Sequence, residues 1–227
     1  MKLFVVRKKS LVLFFVFIVL LVSSVVTYFC IKPALSPKYQ YKIVIDAGHG
    51  GIDNGCVGYS GSYESELNLK YAMSLKRYCE DFGYKVVLTR SNKDGLYSPF
   101  ASNKKKDDMQ KRKEIIQKAN PDIVISIHMN SYPEEYCRGA QVFYKDGSQS
   151  GKFLADCIQK QFVQNLVKAR KTTQTGDYYI LNESQCTSVI CECGFISNKQ
   201  EEELLKSDDY CNQVCYSILC GLMSYFV

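Results

Sequence analysis

The chain holds two histidines, so any imidazole chemistry falls on His49 and His128. His49 sits in D-A-G-H-G-G directly after a β-branched run, and His128 closes another such run in S-I-H-M-N-S. Two carboxylates accompany them. Glu64 opens a helical pattern, and Glu192 lies in the apolar run V-I-C-E-C-G-F. Two neutral imidazoles and one carboxylate form a ligand set of catalytic zinc sites, with the fourth position left to water. A second carboxylate close by can take a proton from that water and return it to a leaving amine. On this reading His49, Glu64 and His128 bind one Zn2+ per chain, and Glu192 is the catalytic acid and base. Glycines at 48, 50 and 51 permit tight turns around the first ligand. Asp46 and Asn130 are placed to orient a ligand from behind.

Each group also has a plainer reading. A histidine in a glycine turn is often hydrogen-bonded there, and one at a strand end is often a satisfied core group. Glu64 suits the first turn of a helix for dipole reasons alone. Glu192 is harder to dismiss, because a carboxylate in a buried run needs a partner. Spacing alone leaves both readings open.

The elements that must position these groups follow from periodicity. Residues 42–46, 85–89, 123–128, 140–144 and 189–193 read as strands. Residues 64–82, 107–120, 151–164 and 208–225 read as helices. The alternation predicts an α/β fold with a mostly parallel sheet covered by helices on both faces. Ligands of such sheets gather beyond the carboxyl ends of the strands. His49, His128 and Glu192 all fall there. Glu64 precedes Leu67 by three residues and so shares the inward side of its helix.

Around this body the composition excludes several classes. The 227 residues suffice for one sizeable core, and 46% hydrophobic with 23% charged residues excludes a disordered chain. The net charge is +6, but Lys2, Arg7, Lys8 and Lys9 supply four of those charges. Without them 25 basic residues face 23 acidic ones, which argues against nucleic acid as a partner. Residues 11–30 carry no charge, and at ~1.5 Å per residue such a run matches a ~30 Å hydrocarbon layer. The basic start predicts a cytoplasmic N-terminus, a single-pass membrane anchor over 1–30, and a catalytic domain outside the cytoplasm. A cleaved signal peptide is the rival, but no A-x-A-like site follows. Residues 31–40, with two prolines, read as a stiff tether, and the domain as 41–227. Eleven cysteines lack a paired zinc spacing, and most read as small core residues.

At its motifs the sequence resembles the zinc-dependent N-acetylmuramoyl-L-alanine amidases of bacterial cell walls. The matching stretches are IVIDAGHGGIDNG at 43–55, ESELNL at 64–69, RKEIIQKANPDIVISIHMNS at 112–131, GAQVFY at 139–144 and VICECGFISN at 189–198. The resemblance implies a three-layer α/β/α structure with a mixed sheet, zinc on His49, Glu64 and His128, and Glu192 as the catalytic glutamate. It implies peptidoglycan as substrate, cut at the amide between N-acetylmuramic acid and L-alanine. Ala47 replaces a frequent proline, and Cys191 and Cys193 flank Glu192 where the family commonly has I-E-V. Ten residues separate His128 from Gly139, too few for the inhibitory insertion of division-associated members. The chain is therefore similar to membrane-anchored amidases of spore-cortex maturation and germination, with a vegetative wall role and an activating protein left open. Two alternatives remain: a wall cysteine peptidase pairing a thiol with His49 or His128, and a non-catalytic peptidoglycan-binding module.

Overall fold

The structure, a computed structural model, describes residues 8–35 and 41–227. It divides into two units, residues 1–39 and residues 40–227. The first contains helix α1 (Lys8–Leu35), whose side chains from Val12 to Tyr28 are exposed. Among the described residues no helix is long and apolar enough to cross a membrane. Residues 31–35 of the expected tether continue α1. Extending a formed helix costs less than nucleating one. The basic stub at 1–7 and the tether residues 36–40 lie outside the described residues.

The second unit runs β1 (Lys42–Ala47), α2 (Glu64–Phe82), β2 (Lys85–Leu88), α3 (Lys104–Ala119), β3 (Ile123–Asn130) and β4 (Gln141–Tyr144). It continues with α4 (Gln149–Asn165), β5 (Gln174–Thr175), α5 (Tyr179–Glu183), β6 (Thr187–Phe195), α6 (Lys199–Lys206) and α7 (Asp208–Tyr225). The six strands form one sheet in the order β2-β1-β3-β6-β4-β5. All neighbours are parallel except β4 and β6, which are antiparallel. The sheet is mixed and mostly parallel, with helices on both faces, as the alternation requires.

Strand alternation sorts the core into two layers. Ile43, Ile45, Ile123, Ile125, Ile127, Cys191 and Cys193 point to one face, where Tyr71 and Leu75 of α2, Ile158 of α4 and Ile218 of α7 cover them. Val44, Val124 and Ile190 point to the other face, against Ile116 of α3 and Ile180 and Leu181 of α5. The same parity carries Asp46, Ser126, His128 and Glu192 to the face of α3 and α5. All ten cysteines from Cys56 onward are unbridged, and Cys79, Cys191, Cys193, Cys211 and Cys215 are buried.

Helix ends follow local chemistry. Gly83, at φ 107°, ends α2 and donates its N–H to the carbonyls of Cys79 and Glu80. Helix α3 begins at Lys104, three residues before the expected start. Asn103 caps it by accepting the Lys106 N–H. The short elements β5, α5 and α6 were not expected from periodicity.

Candidate metal centre

His49 leaves β1 in a backbone conformation that side chains seldom adopt, φ +60°. Two buried guanidinium groups hold that turn. Arg112 on α3 donates to the carbonyls of Ala47 (2.6 Å) and His49 (2.5 Å). Arg90, just past β2, donates to the carbonyls of Ala47, Gly48 and Ser65 at 2.7–2.9 Å. Arg112 is 1% exposed and pairs with Asp46 Oδ1 and Asp108 Oδ2, both at 2.6 Å. Asp46 also accepts from Thr89 and Ser126. Burial disfavours the charged Asp46, but Arg112 and the two hydroxyls outweigh it and hold the pKa at about 2. Asp46 therefore spends its oxygens on this network and reaches neither histidine. That corrects its expected place behind a ligand. Asn130 pairs by backbone with β6, its carbonyl accepting the Ile196 N–H.

Glu64 is 3% exposed at the first turn of α2. Its Oε1 lies 3.2 Å from His49 Nε2 and 2.9 Å from His128 Nδ1. Its Oε2 accepts the Cys56 N–H at 2.8 Å, and Asn68 Nδ2 stands 3.2 Å from Oε1. Burial raises the Glu64 pKa, yet the two imidazoles outweigh it and hold the carboxyl far below its ordinary range. Two glycines make the space. A Cβ on Gly48 would stand 2.2 Å from the His128 ring, and one on Gly55 would stand 2.4 Å from Glu64 Oε2.

The three donor atoms lie within 4.8 Å of one another and could hold a metal ion. Tetrahedral ligands about 2.0–2.1 Å from a zinc ion are separated by roughly 3.3 Å, close to the two distances from Glu64. One carboxylate oxygen facing two imidazole nitrogens is the donor chemistry such an ion needs. Glu192 faces His128 across the β3–β6 pairing, as its Cα partner. Its Oε2 is buried without a hydrogen-bond partner among the described residues. Burial pushes its pKa up to about 7; the His128 charge opposes the shift and Glu64 adds to it. A cavity of about 360 Å3 adjoins the histidines, walled by Ile52, Tyr97, Lys105 and Tyr178.

All four sequence candidates thus meet at one end of the sheet. Among the described residues no thiol pairs with either histidine: their hydrogen-bonding partners are Asp53 and Glu64. Burial and the Glu64 charge raise the nearby Cys56 thiol, the reverse of what a nucleophile needs. Sequence reasoning missed Asp53, Arg90 and Arg112. Arg112 carried a readable signal: with Asp108 it lies four and eight residues before Ile116, on the inward ridge of α3.

The sequence profile of the N-acetylmuramoyl-L-alanine amidases matches residues 43–224. A germination-specific N-acetylmuramoyl-L-alanine amidase of Bacillus subtilis is 31% identical over 199 residues, covering 86% of this chain and 84% of that one. The CwlD amidase of Clostridioides difficile, solved in complex with the GerS lipoprotein, superposes with a TM-score of 0.79. It is 33% identical and covers 82% of this chain and 98% of that one. The catalytic domain of the amidase CwlV of Bacillus (Paenibacillus) polymyxa gives a TM-score of 0.73 at 28% identity, covering 82% and 98%. Fold, converging side chains and likeness agree, and the chain belongs to the N-acetylmuramoyl-L-alanine amidase family.

Proposed function

We propose that this amidase is a zinc hydrolase of peptidoglycan, anchored by residues 11–30 with its catalytic body outside the cytoplasm. We propose that it serves spore-cortex or cell-wall remodelling. The observation that carries the reading is one buried carboxylate oxygen facing two imidazole nitrogens, with Glu192 Oε2 buried and unpartnered on β6, beside His128's strand. His49, Glu64 and His128 would hold the ion. Zinc bound there supplies polarisation of the scissile carbonyl and acidification of water.

The protein's own groups do the rest. Glu192 accepts the proton of the attacking water through its free Oε2 and returns it to the amine of L-alanine as the amide breaks. A carboxyl lifted towards neutrality by burial suits both directions of transfer. Asp46, Arg112 and Arg90 hold the turn that carries His49. A glycan strand continues in both directions and needs open surface, whereas the stem peptide is a branch. The cavity beside the histidines therefore takes the peptide side of the bond.

The uncharged run at 11–30 and the basic residues before it support the anchor. The germination-specific relative supports the cortex setting. The lipoprotein bound to the Clostridioides difficile amidase supports a protein partner for this chain as well. A binding module without catalysis would have no use for Glu192 Oε2 held buried and unpartnered.

The test is to purify the full chain in detergent, measure bound zinc, and follow stem-peptide release from peptidoglycan before and after chelation. Stoichiometric zinc with chelator-sensitive cleavage at the muramoyl–L-alanine amide is expected. Cleavage that survives complete zinc removal would sink the metal reading.

A further inference from the structure

We propose that Asp53 is a positioning residue that fixes the His49 ring so that Nε2, and not Nδ1, faces the metal. The inference rests on the zinc reading above. Asp53 Oδ2 lies 3.0 Å from His49 Nδ1. An ionised carboxylate can only accept, so Nδ1 keeps its proton, and Nε2 is the nitrogen whose lone pair is free to meet a metal ion. Nε2 is the nitrogen 3.2 Å from Glu64 Oε1. His128 presents the opposite atom, Nδ1, to that same oxygen. The two imidazoles therefore need different orienting contacts, and Asp53 supplies the one for His49.

Asp53 is not a loose surface carboxylate. Its backbone exchanges hydrogen bonds with Gly50 in both directions, at 2.8 and 3.2 Å. Its second oxygen, Oδ1, accepts the Gly55 N–H at 3.1 Å. Both oxygens are thus committed, one to the turn and one to the ring. Lys105 Nζ approaches the ring-facing oxygen at 3.7 Å from an exposed position. Among the other acids near the turn, Asp46 is consumed by Arg112, Thr89 and Ser126.

This arrangement makes asparagine a poor substitute. An amide has one accepting oxygen, so Asp53→Asn must either lose the Gly55 bond or turn its NH2 towards Nδ1. The second outcome moves the ring proton onto the metal-facing nitrogen. Zinc affinity of the full-length protein would be measured by competition with a chromophoric chelator, beside the melting temperature of each metal-free form. Asp53→Ala and Asp53→Asn should each weaken zinc binding about 10–100-fold while the metal-free proteins melt within a few degrees of the parent. Lys105→Met should stay within about fivefold, because an exposed ion pair contributes little. In Co2+-substituted parent and Lys105→Met, His49 should show a shifted, slowly exchanging ring N–H resonance that Asp53→Ala lacks. If Asp53→Ala melts far lower, the volume-conserving Asp53→Asn decides.

Zinc affinity within about threefold of the parent in both Asp53 variants would overturn the inference. A loss in Lys105→Met as large as in Asp53→Ala would also overturn it, in favour of general charge. A parent protein that binds no zinc would overturn the metal reading itself, whereas zinc in the parent with unaffected variants removes Asp53 alone.

Discussion

Glu192 holds a buried carboxylate at a cost to the fold, and Glu192→Gln should expose both that cost and its purpose. The group titrates at about 7 in the folded chain against an ordinary 4.5. Between those values the native state binds more protons than the unfolded one, so stability falls as pH rises through the window. At 1.36 kcal/mol per unit the loss is on the order of 3 kcal/mol, complete above about pH 7. Glutamine has nearly the same shape and no charge to desolvate. The metal-free variant should therefore match the parent near pH 4.5 and exceed it by about 2–3 kcal/mol at pH 8.

Urea denaturation of chelated protein across pH 4.5–8 measures the gap directly, since every other titrating group contributes to both curves. The same variant should retain zinc and lose turnover by about 10²–10⁴-fold, the usual contribution of a positioned general base. Stability and activity thus move in opposite directions from one substitution. Parallel stability curves at all pH values would refute the desolvation argument. Parental turnover would remove Glu192 from the chemistry.

Two other perturbations follow from the turn around His49. Arg112→Met leaves the buried Asp46 and Asp108 without their cation, and breaking such a pair should cost about 3–5 kcal/mol in urea denaturation. Because the Asp46 pKa is depressed to about 2, that stability is present above its ordinary 3.8 and fades as pH falls towards 2. The gap between parent and variant should narrow in acid; a loss below about 1 kcal/mol at pH 7 would contradict the network. Gly48→Ala places a Cβ 2.2 Å from the His128 ring, whereas Gly61→Ala meets open space and carries only the backbone strain of its positive φ. Zinc titration should show binding weakened in the first and retained in the second, and equal affinities would mean that His128 is not held against that backbone.

What the sequence displays depends on how each feature is encoded. Strands β1, β3 and β6 are buried on both faces and so appear as apolar runs, and their ends mark His49, His128 and Glu192. Helix α2 begins at Glu64, where the motif and the periodicity agree. The start of α3 misleads because it opens on three lysines, against the helix dipole, before the favourable Asp107, while the cap that fixes it is the single side chain of Asn103. Elements of two and five residues, β5 and α5, are too short for any period to register. Asp53 and Asp46 differ in another way. Both lie within four residues of His49, and only Asp46, the one in the strand, is named by the sequence reading as support. Strand parity sends Asp46 down towards Arg112, whereas the glycine turn folds Asp53 back onto the ring. Ligands at strand ends inherit their position from the sheet, which periodicity reveals. The groups that orient them inherit theirs from a turn at positive φ, which leaves no periodic trace, and from α3, three elements along, where only the ridge of Asp108, Arg112 and Ile116 marks them. The candidate ligand residues could therefore be named from runs and motifs, but the nitrogen that His49 turns to Glu64 is set beside Asp53, which only the folded turn brings to the ring.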